Sequence, residues 1–192
     1  MDTPLKSREK EILLDIAREA IASVVSTGSM YVEPREEKAL NIRRGCFVTI
    51  TCQGQLRGCI GNFQSELPLF MEVAEMAAAS ATKDPRFYPM RAEDLEDFDL
   101  EISVLSPLKK IEKPEEIKVG IHGIYLEKGY HRGVLLPQVA LEYGWDRDSF
   151  LQQTCTKAGL PQEAWRAEDC EIYIFSAEVF GRKKSVNRAT CG

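Results

Sequence analysis

"CFVTITCQGQLRGCIGN", residues 46–62, reads as two short strands joined by a tight turn. Phe47, Val48, Thr49, Ile50 and Thr51 are the aromatic and β-branched types that fit a pleated, half-buried surface. Gln53-Gly54 marks the turn, because glycine supplies the positive φ that tight hairpins need. The second arm carries Gly58 and Gly61 where a strand normally carries side chains. Glycine there indicates a bulge or the close approach of another backbone. By strict alternation Arg57 and Cys59 share one face, and Leu56, Gly58 and Ile60 share the other.

The flanking sequence supplies the layers for such a hairpin. Residues 8–26 place Ile12, Leu13, Ile16, Ala17, Ala20, Ile21, Val24 and Val25 on one helical stripe, with Ser7 as the expected N-cap and Gly28 as the stop. A second helix is predicted over 68–82, with Pro68 in its first turn. "KDPRFYP" then punctuates strongly, and "FDLEISVLS" (98–106) alternates as a strand with Phe98, Leu100, Ile102 and Val104 on one face. "GIHGIYLEKGYHRGVLLP" (120–137) reads as another hairpin, with Lys128-Gly129 and Arg132-Gly133 at its tip. Pro137 opens a short helix, Asp146 caps a further one over 147–158, and Gly159 ends it. "CEIYIFSAEVF" (170–180) reads as one long strand.

Hairpins therefore dominate, and the fold expected is α+β: a mostly antiparallel sheet flanked by helices, with a smaller helical lobe. We expect a single domain in which 8–136 and 168–180 form the main sheet-and-helix body. Residues 137–167 form the lobe, and 181–192 a frayed basic tail.

The chain is 44% hydrophobic and 29% charged, an ordinary soluble mixture, and its 192 residues suffice for one good-sized core. A net charge of -5 weighs against nucleic acid, whose phosphates call for a basic face. No apolar run reaches membrane-spanning length and the start lacks a signal-peptide core, so a cytoplasmic location is expected. The six cysteines lack C-x-x-C or zinc-knuckle spacing, which favours free thiols and gives no support for a structural zinc site. Phosphate-loop, dinucleotide-fold, zincin and nucleophile-elbow motifs are absent, so no cofactor is implied.

Cys59 is the first candidate for chemistry. Arg57 on its face could stabilise a thiolate, and the amides around Gly58 and Gly61 could cradle an anion. The ordinary alternative is a buried thiol beside a bulge. His122, between two glycines, is a candidate general base, and Glu101 could orient it; the three would form a nucleophile, base and orienter set. The same three could instead hold a metal, joined by Cys155. Gln138, at a helix start, could hold an anion or a carbonyl, although capping is its commoner role. Trp145, Trp165 and Cys155 read as packing residues, His131 as a solvated turn residue, and Arg86 as a turn-holder with a second option as an anion ligand.

In order along the chain, "LRGCIG" (56–61), "DPRFYP" (84–89), "LEISVLSPL" (100–108), "GIHGIYL" (120–126), "GVLLPQVALEYGWD" (133–146) and "FLQQTCTKAGLP" (150–161) resemble the signature blocks of the AMMECR domain family, also called protein A of the AmmeMemoRadiSam system. The resemblance covers about residues 8–180. It implies a two-subdomain α+β fold, an intracellular protein, and Memo-type and radical SAM proteins as partners. It heightens interest in Arg57, Cys59, Glu101, His122, Gln138 and Cys155 without assigning their roles. Two functions are expected on these grounds. One is an enzyme using Cys59 as nucleophile or thiol carrier on a small carbonyl or acyl substrate. The other is a non-catalytic binding or scaffold component.

Overall fold

Leu13, Leu14, Ile16, Ala17, Ala20 and Ile21 are buried along one stripe of helix α1 (Ser7–Thr27), the stripe expected from the sequence. The computed structural model describes residues 4–182. Lys6, not Ser7, is the N-cap of α1, and its N–H donates to the Glu9 carboxylate at 2.7 Å. Gly28 ends the helix in the left-handed conformation. Helix α2 (Leu69–Thr82) begins one residue after Pro68, and its alanines let it pack closely on α1. Two shorter helices, α3 (Pro137–Glu142) and α4 (Arg147–Lys157), come later. The strands are β1 (Cys46–Cys52), β2 (Gln55–Asn62), β3 (Asp99–Leu105) and β4 (Lys109–Ile111). They continue with β5 (Gly123–Lys128), β6 (His131–Leu135), β7 (Glu171–Phe175) and β8 (Ala177–Arg182).

This is the α+β fold expected, but its strands form two four-stranded sheets, ordered β2-β1-β3-β8 and β4-β7-β5-β6. The chain divides into two compact units to match: 4–104 with 178–182, and 105–177. Every strand register described is antiparallel.

In the first unit Val48 and Ile50 of β1 are fully buried. They pair with Ile60 and Gly58 on one side and with Ile102 and Leu100 on the other. These residues form the sheet's core face and share one apolar cluster with α1 and α2. The β1–β2 turn is the one anticipated, with φ 52° at Gln53 and 77° at Gly54. The register then slips. Ile50 faces Gly58 but Thr51 faces Leu56, leaving Arg57 as an extra residue in β2. This bulge breaks the strict alternation: Leu56 falls on the same face as Cys59, and Arg57 has no partner in β1.

In the second unit Phe150, Leu151 and Cys155 of α4 are fully buried in one cluster with Ile124, Leu126, Ile172 and Ile174. Residues 137–167 therefore do not form a lobe apart from the hairpin, as the domain division from sequence had it. A helix this short with an apolar face needs a sheet to cover it, and β5 and β6 provide it. Asp146 caps α4 as expected, accepting the Ser149 N–H at 2.8 Å. Gly133 is not at the hairpin tip, which is Gly129-Tyr130. It lies within β6, where a Cβ would stand 2.4 Å from the Thr154 carbonyl oxygen of α4.

The long strand expected over 170–180 is two strands in different sheets, β7 and β8, separated by Ser176. Alternation reports which residues are buried but not which strand they pair with, so it carries the same pattern through a change of sheet. Gly181 and Arg182 belong to β8, with Arg182 donating to Asp15 at 2.7 Å and also to Glu11. The rest of the expected frayed tail, 183–192, lies outside the described residues.

Candidate thiol site

The local structure of "LRGCIG" is set by close approaches from Ser80 of α2 on one side and Phe47 of β1 on the other. A Cβ on Gly58 would lie 2.1 Å from the Ser80 carbonyl oxygen, so only glycine lets α2 sit this close to β2. Beside it, Ser80 Oγ accepts the Ile60 N–H at 2.9 Å and donates to the Val48 carbonyl at 2.8 Å, tying helix to hairpin. A Cβ on Gly61 would meet the Phe47 ring at 2.4 Å, and Phe47 in turn packs edge-on against Phe63. Both glycines have packing roles.

Cys59 is fixed through its backbone. Asp84, 4% exposed, accepts the Cys59 N–H on Oδ2 at 2.8 Å. Arg86 donates to both oxygens of that carboxylate, Nε to Oδ1 at 2.9 Å and Nη2 to Oδ2 at 2.7 Å. Its Nη2 also reaches the Cys59 carbonyl at 3.3 Å. The Arg86 hydrogen bonds, with the Cys59 and Arg86 backbone N–H groups, hold the Asp84 carboxyl well below the usual carboxylate range against the opposing cost of burial. Arg86 itself is held above its ordinary value, first by its hydrogen bonds to Asp84. Since β2 is an edge strand, this clamp satisfies backbone groups that a neighbouring strand would otherwise pair.

The side chain of Cys59 is half-buried on the face opposite the core, where Thr49 stands across from it and Glu101 stands across from Thr49. Thr49 Oγ1 donates to Cys59 Sγ at 3.3 Å. Cys59, Thr49 and Glu101 thus form one row over three strands. Two strand spacings, roughly 10 Å, separate the outer pair. Glu101 is exposed, and Thr49 rather than Glu101 is the immediate neighbour of the thiol.

Arg57 does not partner Cys59, contrary to the expectation from alternation. As the bulge residue it turns to the segment after α2, donating to the Tyr88 carbonyl at 2.8 Å and to Asp94 at 3.3 Å. Arg86 takes the place beside Cys59. His122 lies in the second unit, where its Nδ1 accepts the Lys118 N–H at 3.2 Å and burial lowers its proton affinity. Gln138 and Cys155 are in that unit too. A cavity there of about 570 Å³ is lined by Leu135, Val139, Tyr143, Trp145, Gln153, Thr156 and Lys157, with Gln138 outside the lining. Cys155 is fully buried, and burial pushes its thiol up; the packing role expected of it holds. Among the described residues no group of three His, Cys, Asp or Glu is placed to hold a metal, and no helix is long and apolar enough to cross a membrane.

Thr49, Ser80 and Asp84 were not singled out from the sequence, and Arg86, read there as a turn-holder or an anion ligand, holds the Asp84 carboxylate. The available signal was the aspartate of "DPRF", a buriable carboxylate two residues before an arginine. Its partner, the Cys59 amide, lies 25 positions away and leaves no local trace.

The geometry defines a class: a two-unit α+β protein whose glycine-bent edge strand presents one cysteine, clamped from behind by an Asp-Arg pair. The sequence profile of the AMMECR1 family matches residues 14–180, and the chain belongs to that family. It is 42% identical over 189 residues to Protein MK0488 of Methanopyrus kandleri, covering 94% of this chain and 91% of that protein. It is likewise 42% identical over 188 residues to a protein of Thermococcus gammatolerans, covering 92% and 91%. The crystal structure of the uncharacterized protein PH0010 from Pyrococcus horikoshii superimposes with a TM-score of 0.83 at 40% identity, covering 93% of each chain.

Proposed function

We propose that this protein is an enzyme in which Cys59 serves as nucleophile or thiol carrier toward a small carbonyl or acyl substrate. One observation carries the reading. Gly58 and Gly61 are accounted for by packing, Arg57 by its bonds to the 88–94 segment, and the Cys59 backbone by Asp84 and Arg86. The Cys59 sulfur is what remains. It is half-buried, on the face away from the core, with a hydroxyl donating to it and a guanidinium bonded to its own carbonyl. A partly exposed sulfur with a hydroxyl donor is open to a reagent, whereas inert cysteines are buried in apolar packing, as Cys46 and Cys155 are here.

The test is the rate at which iodoacetamide labels each cysteine of the folded protein, mapped by peptide mass spectrometry. Cys59 is expected to label faster than half-buried Cys52 and Cys170. Labelling at Cys59 no faster than at those two sinks the proposal.

A second reading, a non-catalytic scaffold component in a cytoplasmic system with Memo-type and radical SAM proteins, is favoured by the same packing of "LRGCIG". On that reading the hexapeptide is a structural hairpin. Cys59→Ser would then leave association with a Memo-type protein unchanged and cause no loss of cellular function.

A further inference from the structure

Thr49 is the one side chain among the described residues that makes a hydrogen bond to the Cys59 sulfur. We infer that Thr49 is the positioning residue of the thiol, a part that the sequence assigned to no residue. The inference rests on Cys59 being the reacting group.

Thr49 and Cys59 are directly paired across β1 and β2, so register, not side-chain flexibility, sets the distance between them. In such a pair the Cβ atoms stand about 4.5–5.5 Å apart, within which a hydroxyl and a sulfur on one face meet. Threonine suits the task because its branched Cβ restricts χ1, so the hydroxyl is held toward its neighbour instead of sweeping through solvent. The backbone clamp acts on the other side of the same residue: Asp84 fixes the Cys59 N–H and Arg86 its carbonyl. The sulfur is thus held from in front by Thr49 and from behind through its own peptide groups. A donor gains strength when its acceptor is ionised, so the Thr49 hydroxyl interacts better with a thiolate than with a thiol. Glu101, one strand further on, meets Thr49 and not the sulfur.

The step that reads this out is simple alkylation. The sulfur forms an S–C bond with iodoacetamide, iodide leaves, and the thiol proton goes to solvent. Three full-length proteins are compared at one pH near neutrality: wild type, Thr49→Val and Thr49→Ser. Valine keeps the branched shape and the strand preference, and serine keeps the hydroxyl. Thr49→Val is expected to slow labelling of Cys59 by about fivefold or more, the scale of one lost hydrogen bond to a charged group. Cys52 and Cys170 should label as before, and thermal melting should be unchanged. Thr49→Ser should restore labelling to within about twofold of wild type, which a packing role for the branched methyl would not permit. If Cys59 labels rapidly in wild type and equally fast in Thr49→Val, the positioning role is overturned while the reactive thiol stands. A serine variant as slow as the valine variant also overturns it. If Cys59 labels slowly in wild type, it is the thiol reading itself that fails, and the role of Thr49 with it.

Discussion

Asp84 Oδ2 accepts the backbone N–H of Cys59 at 2.8 Å, joining the turn after α2 to the middle of the edge strand β2. The bond links two of the sequence blocks that carry the family likeness, "DPRFYP" and "LRGCIG". It explains why an aspartate and an arginine stand two residues apart: one carboxylate serves the strand amide and the guanidinium together. Replacing Asp84 with alanine would strip the Cys59 N–H of its acceptor and leave Arg86 without its partner. Because the Arg86 side chain is 54% exposed, it can rehydrate, so the loss should fall below that of a fully buried ion pair. A destabilisation of about 1–3 kcal/mol is expected, measured by urea unfolding.

The same carboxyl shapes the acid limb of stability. Its proton affinity in the folded state is below that of the unfolded chain, where an aspartate titrates near about 3.9. The unfolded state therefore takes up the proton first as pH falls. The contribution of Asp84 is complete above about pH 5 and declines progressively through pH 4 and below. Melting temperatures recorded from pH 6 down to pH 3 should fall more steeply for wild type than for Asp84→Asn, which has no carboxylate to protonate. Equal slopes would show that Asp84 is not a source of the acid sensitivity.

Gly58→Ala should be among the most damaging single-methyl additions in the first unit. The atom its Cβ would meet, the Ser80 carbonyl oxygen, is backbone and cannot rotate aside. Relief requires α2 to move off β2, weakening the two hydrogen bonds of Ser80 Oγ. A loss of about 3 kcal/mol, the upper end for overpacking, is expected in chemical denaturation. A stability within a few tenths of a kcal/mol of wild type would mean that the helix can retreat freely.

His122 makes a separate pH prediction in the second unit. Burial is the main cause of its lowered proton affinity, with the positive charges of Lys118 and Lys109 adding to it; a backbone hydrogen bond opposes them. An NMR titration should find its imidazole half-protonated below the ordinary value of about 6.5. The sign for stability follows from the same comparison. As pH falls through about 6.5 the unfolded chain binds the proton first, so the folded state loses the stability that neutral His122 gives above that pH. Since Nδ1 accepts the Lys118 N–H, the neutral ring carries its proton on Nε2. A general-base role would have to begin from a nitrogen already protonated or already engaged.

The local elements were legible because their causes are local. The stripe Leu13 to Ile21 makes α1, Gln53-Gly54 makes the first hairpin, and Asp146 caps α4. Each depends on residues within a turn or two of one another, and period and turn chemistry report that directly. The sequence by itself also singled out Cys59 and required glycine at 58 and 61, although it could not say what pressed against them. Tertiary structure alone decided the rest. The bulge at Arg57 broke the alternation, and that side chain bonds to Tyr88 and Asp94 instead of the thiol, because register is fixed by the partner strand and not by alternation within one. One stretch, 171–182, was divided between two sheets because pairing partners leave no mark in a period of two. The neighbours of Cys59 became Thr49, Asp84 and Arg86, from 10 to 27 positions away, since a folded chain satisfies a buried backbone group with whichever polar side chain packing brings near.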